Sequence, residues 1–276
     1  METQKDCGLA RRIALATRET VVELPDLPAG PLIIGHRGYS ESYPENTLAA
    51  FDAALQLGID GCECDVHVSA DGEVFLLHDD SLQRTCGVNR MASDLDWSAL
   101  RALDAGSWKA PEFAGERLPL LAEALRLHHG RGTLVIEIKA HGDVAPAVFG
   151  VLQAIEETNA YAASTVISFG FEYLQEVTRR EPRLPCLWLQ SQIPASDDER
   201  DQLLAKVLEA RFQGLSVLDR SLDRAFVRRA HRAGLAIWSW TVNTPEAAAA
   251  MVACEVDAIC TDRPAWLKEW LAARGA

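Results

Sequence analysis

From Pro31 to the C-terminus the sequence predicts an α/β fold, a (β/α)₈ TIM barrel with a small inserted lobe after the second strand. Three observations carry this. Short apolar runs alternate with longer helical stretches, the runs that precede a helix number eight, and charged or ring-bearing residues recur where those runs end. With 276 residues, 48% of them hydrophobic, the chain can fill a core of that size.

Residues 1–30 read as an N-terminal extension closed by Pro25, Pro28 and Gly30, with room for a short amphipathic helix around Leu9–Thr20. Leu32–Gly35 is the first buried strand, and a helix over Glu45–Leu57 follows, started by Pro44 with Glu45 in its first turn. Gly61–Asp79 then holds a strand and a hairpin arm around the turn signal Ala70-Asp71-Gly72. A turn centred near Asp71 brings His78 opposite Asp65, within one residue. Residues 79–119 break the rhythm with turn residues, Trp97, Trp108 and mixed charges, and read as the inserted lobe. The alternation resumes with helices Leu120–His129, Val144–Asn159, Glu172–Arg180, Glu199–Ala210, Leu222–Ala233, Pro245–Cys254 and Pro264–Ala273. Between them lie strands Thr133–Lys139, Thr165–Phe169, Leu184–Leu189, Gly214–Leu218, Leu235–Val242 and Ala258–Cys260.

The formal net charge of −13 argues against non-specific attraction to nucleic acid or to anionic membranes, so an anionic ligand must be held by locally placed cations. No apolar run is long enough to span a bilayer, and charged residues interrupt each short apolar patch near the start, which speaks against a signal peptide. Seven scattered cysteines without C-x₂-C pairs read as reduced thiols, and a cytoplasmic location is expected.

The chemistry collects at the strand ends, where a barrel places its working groups. In Gly61–Asp79 alternation puts Glu63, Asp65 and His67 on one face and Cys62, Cys64 and Val66 on the other, the latter expected to face helices. Two carboxylates about 5 Å apart repel by roughly 3 kcal/mol at an effective dielectric of about 20. They must share a proton, find cations or bind a metal. Within Glu137-Ile138-Lys139 the first and last residues share a face, so Glu137 can join Glu63 and Asp65 while Lys139 supplies a cation beside them. Oxygen-only ligands favour one hard divalent cation, Mg²⁺ or Ca²⁺. His36, after Gly35 and before Arg37-Gly38, and His78 are the imidazoles expected to reach this cup. One neutral and one protonated ring suit taking a proton from a nucleophile and giving one to a leaving alkoxide, while Arg37 and Lys139 suit a phosphoryl group. Trp240 lies at the rim and could wall the pocket; Trp188 and Trp238 read as packing. His128 and His129 at a helix end, with His141 and His231, read as surface residues. Phosphodiester cleavage is the reaction these groups describe most economically.

The motifs His36-Arg-Gly, Pro44-Glu-Asn-Thr47, Glu63-Cys-Asp65, Leu77-His78-Asp79, Arg84-Thr85, Asp104-Ala-Gly-Ser-Trp108, Glu137-Ile-Lys139, Trp240-Thr-Val-Asn243 and Thr261-Asp-Arg-Pro264 together resemble those of the glycerophosphodiester phosphodiesterases, from about Pro31 to the C-terminus and most closely the cytosolic bacterial branch. The resemblance implies hydrolysis of glycerophosphodiesters to sn-glycerol 3-phosphate and an alcohol. It also implies that His36 and His78 are the acid/base pair, Glu63, Asp65 and Glu137 the metal ligands, and Arg37 and Lys139 the phosphate contacts. The expected partner is a small-molecule glycerophosphodiester, with no nucleic acid and no stable membrane insertion. Alternatives are a phospholipase-type phosphodiesterase on lysophospholipid and a non-catalytic, metal-dependent phosphodiester-binding protein; a barrel aldolase or lyase would not need paired imidazoles.

Overall fold

The computed structural model describes residues 30–275, so the expected N-terminal extension and its helix lie outside the described residues. Nine strands form one sheet among them: β1 (Leu32–Gly35), β2 (Gly61–Val68), β3 (Val74–Leu76), β4 (Thr133–Ile138), β5 (Ser164–Ser168), β6 (Cys186–Gln190), β7 (Gly214–Leu218), β8 (Ala236–Trp240) and β9 (Ala258–Thr261). Eight of these are parallel in the order β1-β9-β8-β7-β6-β5-β4-β2, and β1 pairs with β2 to close the ring. The result is the barrel that the alternation predicted. β3 stands outside the ring, antiparallel to β2, with Val66 opposite Leu76 and Val68 opposite Val74. That register puts Leu77 beside Asp65, whose carbonyl accepts from the Leu77 N–H at 3.1 Å, so His78 falls one residue past the expected partner.

The eight longer helices are α1 (Leu48–Gln56), α2 (Leu121–His128), α3 (Val144–Glu157), α4 (Phe171–Arg180), α5 (Asp197–Glu209), α6 (Arg224–Arg232), α7 (Pro245–Cys254) and α8 (Pro264–Ala272). Side-chain oxygens cap several of them: Thr47 accepts from Ala50 N in α1, Asp223 from Phe226 N in α6 and Thr244 from Ala247 N in α7. The first of these corrects an expectation. Helix α1 begins after Thr47, which caps it, rather than at Pro44, and Glu45, expected in the first turn, is left in the preceding loop to pair with arginines. None of the described helices is long and apolar enough to cross a membrane.

Two apolar layers hold the barrel. Inside it pack Leu32, Ile34, Val135, Ile167, Leu187 and Trp238. Outside, Cys62, Cys64 and Val66 meet helix residues such as Phe51, Leu125 and Val148, which places the cysteine pair in helix-facing core as expected. Trp188 lies on this outer face with its ring centroid 4.8 Å from that of Phe171. His128 does not sit at the surface. Its side chain is buried, Nδ1 donates to the Ala124 carbonyl at 2.8 Å, the ring packs edge-on against Phe51, and burial lowers its pKa to about 4. A helix-end histidine that shares the buried face of Leu121 and Leu125 is core rather than cap.

Residues 79–119 carry only short helical turns and gather an apolar cluster of their own, in which Leu82, Ala92, Leu100, Ala105 and Leu118 pack beneath Phe75 and Leu77. Asp104 braces one loop of this span, accepting from the backbone N–H groups of Gly106, Ser107 and Gly115 at 2.7–2.9 Å.

Candidate active site

The three carboxylates meet because of strand register. Asp65 on β2 pairs with Glu137 on β4, so both point inward in one layer, and Glu63 lies two residues earlier on the same inward face. One oxygen from each lies within 4.8 Å of the others. Glu63 and Asp65 are buried, at 3% and 1% exposure. Asp65 Oδ2 accepts from Asn46 Nδ2 at 2.8 Å, and its backbone N–H donates to Asn46 Oδ1. Lys139 Nζ stands 2.6 Å from Asp65 Oδ1 and 2.8 Å from Glu137 Oε1, while Arg37 Nε lies 3.2 Å from Asp65 Oδ2. Glu63 Oε2 accepts from the Arg37 backbone N–H at 3.0 Å, but Glu63 Oε1 is buried with no hydrogen-bond partner.

The charges divide unequally. Burial and the neighbouring Asp65 push the Glu63 carboxyl up to about 8, and the same two causes raise Glu137. Burial acts the same way on Asp65, but Lys139 and Arg37 overcome it and hold that carboxylate well below the usual range. Three acids against two cations leave one buried negative charge too many. A proton on Glu63 or a bound cation relieves it. Convergent carboxylate oxygens, one of them orphaned, and the absence of sulfur or imidazole donors among the three ligands fit a hard divalent ion.

Each catalytic candidate histidine is held by a carboxylate. His36 Nδ1 lies 2.6 Å from Asp262 Oδ1, and Asp262 also accepts from Ser40 Oγ and Asn243 Nδ2. His78 Nδ1 lies 2.6 Å from Asp79 Oδ1, and Asp79 is clamped by Arg84 through Nε at 2.6 Å and a terminal nitrogen at 3.0 Å. A carboxylate can only accept, so the proton sits on Nδ1 in both rings and Nε2 is the atom offered to a reactant. The rings are not equivalent. Burial lowers the His36 pKa, but the Asp262 hydrogen bond and the Glu63 charge raise it further, for a net upward shift. For His78 burial, assisted by Arg37 and Lys139, outweighs Asp65 and Asp79, and the net shift is downward.

Arg37 reaches this site through an unusual backbone. Its φ is 55°, and Gly38 after it makes the turn possible: a Cβ at Gly38, where φ is 85°, would lie 2.6 Å from the Ala50 carbonyl carbon of α1. The Arg37 side chain binds Glu45 at 2.8 Å, and Glu45 is gripped in turn by two nitrogens of Arg84. Arg84 thus ties the His78–Asp79 pair to the Arg37–Glu45 pair. Trp240 is the last residue of β8, with its ring edge-on to Phe169, centroids 5.8 Å apart. A cavity of about 130 Å³ touches His36, Arg37, Glu63, His78, Glu137 and Lys139, with Trp240 on its wall.

Every residue singled out from the sequence for catalysis, metal or substrate therefore borders one cup or lies in its acid cluster. His67 does not: its Nε2 turns to the His78 carbonyl at 3.3 Å, and the ring borders a different cavity with Asp80 and His141. The supporting set of Asn46, Glu45, Asp79, Arg84, Asn243 and Asp262 was given no role from the sequence, although each lies within or beside a quoted motif.

Comparison with known proteins identifies the family. The model of the glycerophosphoryl diester phosphodiesterase family matches residues 36–266. The protein YhdW of Bacillus subtilis is 34% identical over 232 residues, covering 84% of this chain and 94% of its own. A glycerophosphodiester phosphodiesterase of Caldanaerobacter subterraneus is 33% identical over 235 residues, with the same shares of the two chains covered. Among solved structures, an Oleispira antarctica phosphodiesterase in complex with the product sn-glycerol 3-phosphate superposes with a TM-score of 0.81 at 27% identity, covering 88% of this chain and 97% of that one. The chain belongs to the glycerophosphoryl diester phosphodiesterase family and is a phosphoric diester hydrolase.

Proposed function

We propose that this enzyme hydrolyses glycerophosphodiesters to sn-glycerol 3-phosphate and an alcohol, with a divalent cation on Glu63, Asp65 and Glu137 and with His36 and His78 moving the protons. The observation that carries this reading is the convergence on one cup of a buried cluster of three acids, two carboxylate-held imidazoles and two cations. The product bound to the Oleispira antarctica relative supports the choice of substrate.

The cation, Mg²⁺ or Ca²⁺, supplies Lewis acidity and offsets phosphate charge when bound. Arg37 and Lys139 add positive charge and N–H donors, Arg37 as a fork and Lys139 as a point charge. Nε2 of one histidine accepts the proton of the attacking hydroxyl, either water or the glycerol 2-hydroxyl by way of a cyclic phosphate; Nε2 of the other protonates the departing alcohol. Asp262 and Asp79 stabilise whichever ring becomes imidazolium and keep both rings in a fixed tautomer and orientation. Trp240 and Phe169 supply the apolar wall for the carbon skeleton.

The test is a panel of glycerophosphodiesters, including the choline and ethanolamine esters, with the corresponding lysophospholipids beside them, assayed for glycerol 3-phosphate and for the free alcohol with and without chelator. Release of glycerol 3-phosphate that chelation abolishes and Mg²⁺ or Ca²⁺ restores is expected. Binding without turnover would place the protein among metal-dependent binders, and turnover confined to lysophospholipids would make it a phospholipase.

A further inference from the structure

Beside the cup lies a wider cavity of about 490 Å³ that shares His36 and Arg37 with it, its outer wall formed by Trp108, Lys109, Glu41 and Arg263. The two cavities meet at His36 and Arg37, so a phosphodiester centred on the cup has space for its second substituent here. The wall is built rather than incidental. Asp104 fastens the loop, Trp108 Nε1 donates to the Ala105 carbonyl at 2.9 Å, and Lys109 Nζ donates to the Ser40 carbonyl at 2.7 Å, pinning residues 104–109 across the β1 loop. Trp108 nevertheless keeps 38% of its surface exposed.

The charges on this wall are unevenly satisfied. Glu41 is paired with Arg263 at 2.6 Å, Glu45 with Arg37 and Arg84 at 2.8 Å, and Asp262 with His36. Lys109 has only a neutral carbonyl as its hydrogen-bond partner, and among the described residues no carboxylate lies within ion-pair distance of it. The aromatic face is also already supplied with cations, the Arg84 guanidinium at 5.7 Å and the Lys109 ammonium at 5.9 Å from the Trp108 ring. A third cation would find its carboxylates paired and like charges at the ring. An anionic group would find Lys109.

We infer that this cavity is the subsite for the alcohol moiety, and that Lys109 makes it favour alcohols carrying a further anionic group, such as a second phosphate, over quaternary ammonium alcohols. The inference rests on the proposed diesterase activity and deepens it by naming a substrate class.

The test measures kcat/KM for three esters whose alcohols differ in charge: glycerophosphoinositol 4-phosphate, glycerophosphoinositol and glycerophosphocholine. The wild type and Lys109→Arg should prefer the first over the last. Lys109→Gln should lower that ratio by about tenfold, the size of one charge interaction at a half-buried, hydrated site, and Lys109→Glu should lower it further. Turnover of the uncharged inositol ester serves as the reference, because loss of the Lys109–Ser40 tie alone would change all three esters alike and leave the ratio unmoved. A ratio that does not move across Lys109→Arg, Lys109→Gln and Lys109→Glu, while all three esters are still cleaved, overturns the subsite and leaves the activity standing. If the wild type cleaves none of them, the activity and the subsite fall together.

Discussion

Loading the acid cluster with a divalent cation should expel a proton. The cation-free cup carries one negative charge more than Arg37 and Lys139 can balance, and burial with Asp65 alongside pushes Glu63 up to about 8. Such a proton belongs to the cluster rather than to one oxygen. A group with a pKa of about 8 is ~90% protonated at pH 7, so saturation with Mg²⁺ or Ca²⁺ should release ~0.9 proton per site at pH 7 and ~0.1 at pH 9. Apparent affinity should rise close to tenfold per pH unit below that pKa and flatten above it. The sign for folding follows from the same shift. The folded, cation-free protein holds a proton between about pH 4.5 and 8 that the unfolded chain has lost, so this group's contribution to stability declines as pH rises through that window, and bound cation removes the decline. Calorimetric titration of chelated enzyme in buffers of different ionisation enthalpy measures the proton count directly. Release near zero at pH 7, with tight binding, would mean that the three acids are already ionised and that the argument from buried excess charge is wrong.

Other outcomes follow from single contacts. His36→Ala and His78→Ala should each lower kcat by about 10²–10⁴-fold while calorimetric cation binding persists, and near-normal turnover in either variant would remove that ring from the mechanism. Arg84→Ala frees both Asp79 and Glu45, and a loss of about 10–100-fold in kcat is expected, with Arg84→Lys recovering only part because an ammonium cannot present two nitrogens to each carboxylate as the guanidinium does; full activity of Arg84→Ala would show that the His78–Asp79 pair orients itself. Gly38→Ala must push a Cβ against the backbone of α1 from a positive φ, so urea unfolding should show a loss of roughly 1–3 kcal/mol together with a weaker substrate KM.

The fold was legible because a parallel barrel strand is written as a short apolar run and its helix as a longer one, and each of the later boundaries falls within two or three residues of the pattern. Local spacing served equally well for Glu63 and Asp65, whose common face needs nothing beyond strand alternation. Where a local signal had a competitor, the reading went astray. Pro44 and Glu45 look like a helix start, but Thr47, three residues before Ala50, holds the side-chain oxygen that caps α1. His128 looked like a helix-end charge, yet Leu121, Leu125 and His128 follow the spacing of one helical face, and that face is buried. Its unpartnered Nε2 is the cost of placing an imidazole there.

Among the residues given no role from the sequence, Asp262 acts on a partner brought near only by ring closure. His36 and Asp262 are 226 positions apart, but β1 and β9 are neighbours with Gly35 beside Thr261, so the next residue on each strand end must meet at the rim. The same step carried out between β2 and β4 joins Asp65 to Glu137. Once eight strands are inferred and the ring is closed, the pairing of a histidine with its carboxylate follows from register alone. Arg84 does not follow in this way, since it comes from a segment outside the ring, and its hold on both Asp79 and Glu45 depends on how residues 79–119 pack onto the rim. The barrel therefore dictates which groups meet in the cup, while residues 79–119 determine, through Arg84, how firmly His78 and Asp79 are held and, through Trp108 and Lys109, line the neighbouring cavity.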